Sequence, residues 1–173
     1  MLAVPTLAEH ACLTLVVQGV SHGWAIGSLL TPDGELGRVF TLSRPLTYRA
    51  IDGLVAQGLV RRKEPTGGTR DRAMLTATAA GRRAATAWLD APVSHVRDVR
   101  VELMLKLLLR ERAGMPVADL AAAQLAALPF DRLLDAPHAD TADGEDLVDL
   151  WRREHARSVQ AFLLALVERE TRG

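Results

Sequence analysis

The stretch that decides the fold is Leu42-Ser43-Arg44-Pro45-Leu46-Thr47-Tyr48-Arg49-Ala50-Ile51. Ser43 is a residue type that caps helix N-termini, and Pro45 in the first turn loses no hydrogen bond that the helix would have made. Apolar residues then recur at helical spacing, at Ile51, Leu54 and Val55. Gly58 follows as a C-terminal stop. The stretch therefore predicts a helix from about residue 44 or 45 to residue 57.

Two short strands are predicted after this helix, at Leu59–Glu64 and Arg70–Leu75, because a Gly-rich turn at 65–69 separates two runs with strand character. Two helices are predicted before it, one from Thr6 to Val17 and one from an N-cap at Ser21 to Leu30. Three helices followed by a hairpin is the order of a winged helix-turn-helix domain.

The rest of the chain is predicted to be helical around a polar loop at 136–145. Helices are expected from Thr78 to Leu89, from about Val99, from Ala118 to Leu128, and from Asp146 to Glu170. The helix near Val99 is apolar on nearly every side, so another helix or a second subunit must cover it. The last helix carries a stripe of Val148, Trp151, His155, Val159, Phe162 and Leu166. We expect a mainly α fold with one small β-hairpin, a winged helix domain over 1–91 and a helical region over 92–173.

Charge is distributed unevenly although the formal net charge is zero. From Arg38 to Arg83 there are ten Lys/Arg against three Asp/Glu, whereas from Pro92 to the end there are eleven against fourteen. A basic middle segment is typical of a localised nucleic-acid-binding surface, and the alternative is a solvated charged face.

Composition restricts the compartment and the chemistry. Cys12 is the only cysteine, so no internal disulfide is expected, and we interpret it as a buried, unreactive core residue. No apolar stretch is long enough to span a bilayer, and the start of the chain lacks the basic region of a signal peptide. A soluble, cytoplasmic protein without membrane partners is expected.

Four stretches resemble PadR-type transcriptional regulators. Ser21–Trp24 is similar to the His-Gly-Tyr that opens the family's second helix, and Leu42–Ile51 resembles its recognition helix. Leu54–Val60 is similar to the exit from that helix, and Pro92–Leu109 to the start of the C-terminal helical region in the virulence-activator-like variant. The resemblance implies a dimeric, DNA-binding and usually repressing regulator.

One departure from the family pattern concerns the recognition helix. This chain has Leu46-Thr47 where the family has Thr-Leu, and Pro45 where the family has Gly. Helical spacing then predicts that Thr47 points toward the core side and that Leu46 points outward.

Candidate DNA-binding residues lie in the recognition helix and the hairpin. Arg44 stands in the first helical turn and could make a bidentate contact to guanine, and Arg49 could reach the phosphate backbone. The resemblance points to Ser43 and Tyr48, whose hydroxyls suit phosphate. Arg70 and Arg72 flank the hairpin tip, with support from Arg61, Arg62 and Lys63. The alternatives are that Ser43 acts only as an N-cap, that Tyr48 packs at the core edge, and that the support residues are only solvated.

A small-molecule effector is a further predicted partner. Trp88 and Trp151 are candidate walls of an effector pocket, because flat aromatic rings stack on flat ligands, and the alternative is that both residues only pack. The histidines show no metal-ligand spacing, His155 is interpreted as a packed or interfacial residue, and neither a metal nor a cofactor is expected.

The leading hypothesis is therefore a sequence-specific transcriptional regulator, a repressor acting as a homodimer on a pseudo-palindromic operator in double-stranded DNA. Its DNA-binding domain would be 1–91 and its dimerisation region 92–173. The alternative is a winged-helix module that docks protein without specific DNA binding. An enzyme is not expected, because no nucleophile–base set, phosphate-binding loop or paired carboxylates appear.

Overall fold

The computed structural model describes residues 4–63, 73–134 and 146–171. The predicted hairpin turn with Arg70 and Arg72, and the predicted loop at 136–145, lie outside these residues. The elements in chain order are α1 (Leu7–Val17), α2 (Gly23–Leu29), α3 (Arg44–Ala56), β1 (Val60–Lys63), β2 (Met74–Ala77), α4 (Ala79–Asp90), α5 (Val96–Asp98), a π-helical turn (Val99–Leu103), α6 (Met104–Arg112), α7 (Ala118–Ala127), α8 (Phe130–Leu134) and α9 (Leu147–Thr171). The mainly α fold with one small antiparallel strand pair is confirmed, and its first half has the winged helix-turn-helix order.

The chain divides into two compact units. The first comprises Met1–Ala91 with Met104–Ala113, and the second comprises Pro92–Leu103 with Gly114–Gly173. Helix α6 thus belongs to the first unit, although it lies beyond the winged helix elements in the sequence.

Helix α1 is the centre of the first unit. Its residues from Ala11 to Val16 are all buried, because α3, α4, β2 and α6 pack around it. Its N-terminus is held by a capping box, in which the Glu9 amide donates to the Thr6 hydroxyl and the Thr6 amide donates to the Glu9 carboxylate at 2.7 Å.

The strand pair joins the ends of α3 and α4. Val60 pairs with Ala77 and Lys63 with Met74, so the second strand ends later than the predicted Leu75. The Thr78 hydroxyl accepts from the Gly81 amide and caps α4 at the predicted residue. The predicted N-cap at Ser21 is wrong, because α2 begins at Gly23 after the N-cap His22. The Ser21 carbonyl instead accepts from the Leu75 amide at 2.8 Å, which fixes the start of α2 to β2.

Helix α6 packs in the first unit with two buried cations. Lys106, 1% exposed, donates to the Ala91 carbonyl at 2.8 Å, and Arg110, 5% exposed, donates to the Asp90 carboxylate at 2.6 Å. Each cation therefore has an oxygen partner at the C-terminal end of α4, where the helix dipole also favours positive charge.

The second unit is built mainly from α7, α8 and α9. Helix α9 buries Ala156, Val159 and Leu163, whereas Val148 and Trp151, the first two residues of the predicted stripe, are exposed. Across the unit, the Gln124 side chain exchanges two hydrogen bonds with the backbone of Val93, and both residues are buried.

No helix in the described part of the chain has the length and apolarity needed to cross a membrane.

Candidate nucleic-acid interface

The N-terminal turn of α3 is exposed and polar. Ser43 occupies the N-cap position in extended conformation, and its carbonyl accepts from the Thr47 amide at 3.0 Å. Its side chain makes no capping hydrogen bond, so the helix start does not use the hydroxyl. Ser43 and Arg44 are both exposed. The turn therefore presents a hydroxyl and a guanidinium to solvent from a helix N-terminus, the part of a helix that attracts anions.

The predicted orientations of the next two side chains are confirmed. Leu46 is 49% exposed, whereas Thr47 is fully buried. The Thr47 hydroxyl donates to the Ser43 carbonyl at 3.2 Å, which satisfies it inside the helix. The apolar side chain is therefore outside and the polar one inside.

Tyr48 lies between α3 and α2. A Cβ atom on Gly23 would lie 2.8 Å from Tyr48 Cε1, so the ring reaches its position only because α2 has a glycine there. Tyr48 is half-buried. The Tyr48 ring therefore packs against α2 at Gly23, and the role of its hydroxyl in DNA binding stays a prediction.

Asp52 is the only acidic residue of α3, and it is paired. The Arg62 guanidinium of β1 donates to the Asp52 carboxylate at 2.7 Å, and the Arg62 side chain is only 14% exposed. Arg62 is thus an internal partner of α3 and not a free support cation. Sequence reasoning missed this pair, since charge complementarity between two residues on different elements has no periodic signal.

The remaining cations of this surface are exposed. Arg49 on α3, and Arg61 and Lys63 on β1, all point to solvent. Arg44 and Arg49 form no ion pair with any residue that the structure describes. With Asp52 neutralised by Arg62, the described surface of α3 and β1 carries uncompensated positive charge.

The two candidate effector-pocket tryptophans lie in different units. Trp88 is buried, its ring stacks on His10 with 4.8 Å between the centroids, and the Lys106 ammonium lies 5.0 Å from the Trp88 ring. Trp151 is 60% exposed and stacks on His155 at 5.3 Å. Packing contacts thus occupy faces of both rings, and the effector role of both residues stays a prediction.

Cys12 is buried as expected. Burial, and then the charge of Glu9, raise the pKa of its thiol to about 12, so the thiol is protonated at physiological pH. Among the described residues, no group of three or more His, Cys, Asp or Glu side chains is placed to hold a metal ion.

Similarity to known proteins is found among solved structures. No protein-family model matches the sequence. No curated protein matches it. Among solved structures, the chain is similar to the crystal structure of Bacillus subtilis PadR in complex with operator DNA, with 21% identity, a TM-score of 0.47, and 94% of this chain and 98% of that chain covered.

Proposed function

We propose that this protein is a sequence-specific DNA-binding transcriptional regulator of the PadR type. The observation that carries the proposal is the exposed N-terminal turn of α3, where Ser43 and Arg44 face solvent, with Arg49 exposed in the next turn. Neither arginine forms an ion pair with any residue that the structure describes. In a winged helix this turn is the part that enters the major groove. Arg44 would read guanine, and Ser43, Tyr48 and Arg49 would hold phosphates.

The Asp52–Arg62 pair supports the proposal electrostatically. A free carboxylate on α3 would repel phosphates at close range, and the Arg62 guanidinium at 2.7 Å offsets the charge of Asp52. Arg61 and Lys63 lie on either side of Arg62 in β1 and are exposed, so they remain available for the DNA backbone. Arg70 and Arg72 would extend this contact in the wing.

A homodimer is the second part of the proposal. The first turns of α9 expose four large apolar side chains, Leu147, Val148, Leu150 and Trp151. A contiguous apolar surface of this kind is typical of a protein interface, and a second copy would bury it. A twofold-symmetric dimer would present two α3 helices to a pseudo-palindromic operator. A repressing role and release by a small-molecule effector complete the proposal.

Binding to duplex DNA from around the protein's own gene, with random DNA as competitor, tests the function. We expect a specific complex whose affinity falls steeply with salt, because each neutralised phosphate contributes about −0.9 to the log–log slope. Arg44→Ala should lower specific affinity by about 1–3 kcal/mol per half-site, and Arg49→Ala should reduce the salt slope. Arg132→Ala, which removes an exposed arginine of α8, is the matched control and should change neither quantity.

Two outcomes would contradict the proposal. A folded dimer that binds no duplex at low salt would favour the alternative, a winged-helix module that docks protein. A monomer in sedimentation at micromolar concentration would refute the dimer. Trp151→Asp should weaken the dimer without unfolding α9, since the side chain is exposed in the single chain.

A further inference from the structure

Leu46 is exposed on α3, although α3 packs one face on the core. An amphipathic helix places leucine inside and threonine outside, whereas α3 leaves Leu46 49% exposed and buries Thr47 completely. Thr47 fills the core position with a hydroxyl that bonds only within its own helix at 3.2 Å. Leu46 lines an open groove with Leu42 and Ala50, so packing accounts for only part of its apolar surface. Local inversions of this kind concentrate at functional sites.

Leu46 stands in the part of α3 that faces DNA in the proposed function. Leu46 lies two residues after Arg44 in the first turn of α3 and one turn before Arg49, and all three side chains are exposed. When the N-terminus of a helix enters the major groove, the side chains around its first turn reach base edges. Leu46 is the one large apolar side chain exposed on α3.

The major groove offers such a side chain a single apolar partner. Base edges there present hydrogen-bond donors and acceptors, except for the C5-methyl group of thymine. A leucine placed over a donor or an acceptor would remove water from a polar group without replacing its hydrogen bond, which is unfavourable. A leucine placed over the methyl group buries apolar surface on both sides.

We propose that Leu46 is a specificity-determining residue that reads the C5-methyl group of a thymine in each half-site of the operator. The inference rests on the proposed function, because it requires α3 to enter the major groove. Arg44 and Leu46 then divide the readout, with the guanidinium recognising guanine and the isobutyl group recognising thymine.

Replacement of thymine by uracil tests this contact directly, because it removes the methyl group and keeps the base pairing. A duplex that the full-length protein binds specifically is first selected from a random library and then synthesised with every thymine replaced by uracil. Affinities for both duplexes are measured by fluorescence anisotropy for the natural protein, for Leu46→Ala and for Leu164→Ala. Leu164 is 47% exposed on α9, so it matches Leu46 in residue type and exposure.

The natural protein should bind the uracil duplex about fourfold more weakly per methyl contact, and on the order of tenfold more weakly for two half-sites. Leu46→Ala should bind the two duplexes equally, whereas Leu164→Ala should keep the full discrimination. Thermal unfolding should show that Leu46→Ala is folded, since about half of the Leu46 surface is already exposed to solvent.

Equal binding of both duplexes by the natural protein, or full discrimination by Leu46→Ala, would overturn the inference while leaving the regulator intact. If the library yields no specifically bound duplex, the proposed function fails and the inference fails with it. The two failures are therefore distinguishable.

Discussion

The side chain of Gln124 takes the place of a backbone hydrogen-bond partner for Val93, so truncating it should lower the free energy of unfolding. The Val93 amide donates to Gln124 Oε1 at 2.7 Å, and Gln124 Nε2 donates to the Val93 carbonyl at 2.9 Å. Val93 is 4% exposed and Gln124 is fully buried. If the Gln124 side chain were removed, water could therefore not readily reach the backbone of Val93 to replace its hydrogen bonds.

Gln124→Ala leaves one buried donor and one buried acceptor without partners. Each unsatisfied group costs about 1–3 kcal/mol, so the substitution should lower the free energy of unfolding by about 2–6 kcal/mol. That is a large fraction of the roughly 5–15 kcal/mol that stabilises a typical domain.

Gln124→Glu separates the two hydrogen bonds. A carboxylate still accepts from the Val93 amide but cannot donate to the Val93 carbonyl, whereas the protonated acid can do both. Burial raises the pKa of the introduced carboxyl above that of the unfolded chain, so the loss of stability should be full at neutral pH and should shrink as the pH falls toward 4.

Urea unfolding gives the free energies, and hydrogen exchange at the Val93 amide gives the local effect. Gln160→Ala on α9 is the control, because Gln160 is only half-buried, and it should stay within about 0.5 kcal/mol of the natural protein. A Gln124→Ala variant as stable as this control, with unchanged Val93 protection, would refute the reasoning.

Two further predictions concern the first unit. Gly81→Ala should destabilise the protein by about 1–3 kcal/mol, because a Cβ atom there would collide with the Leu59 carbonyl. Gly27→Ala should be neutral or stabilising, because its Cβ atom would meet nothing within 4 Å. Thermal unfolding of both variants checks this, and equal melting temperatures would contradict it. Stability should fall as pH rises from about 9 toward 12, because the unfolded chain releases the Cys12 proton near 9.0 while the native thiol, with its pKa at about 12, retains it. Urea unfolding across that range, with Cys12→Ala as the variant in which this part of the decline should disappear, measures the effect, and an unchanged decline in the variant would exclude it.

Helix α3 could be predicted closely because its signals are local. A capping residue type, a proline in the first turn and a glycine beyond the end bracket α3, and the structure has Arg44–Ala56 with Gly58 at a φ of 70°. Helical periodicity alone predicted the opposite exposures of Leu46 and Thr47.

The sequence analysis is wrong or silent where a residue distant in the sequence determines the local structure. Ser21 has the composition of an N-cap, but its backbone is engaged by Leu75, 54 positions later, and the helix begins further on. Lys106 and Arg110 are buried because Ala91 and Asp90 supply oxygen atoms for them, and no sequence pattern encodes those distances.

The last helix shows a related limit. A stripe at spacings of three and four predicts an apolar face, but it does not show how far along the helix a packing partner extends. The structure buries Ala156, Val159 and Leu163 and exposes the apolar residues of the first two turns.

The sequence predicted which segment carries the candidate site, but it did not predict which of its cations are exposed and unpaired. Arg44 and Arg49 are exposed, whereas Arg62 forms an ion pair with Asp52 and is largely buried. Whether a cation is available depends on its neighbours in space, and composition counts every cation equally.

The three tryptophans differ in burial, and this gives the protein its own optical reporters. Trp88 is 8% exposed inside the first unit, Trp24 is 52% exposed in the first turn of α2, and Trp151 is 60% exposed in the second unit. Iodide should therefore quench Trp24 and Trp151 strongly and Trp88 weakly. With single-tryptophan variants, the emission of Trp88 would follow the unfolding of the first unit and the emission of Trp151 that of the second unit, without any attached dye.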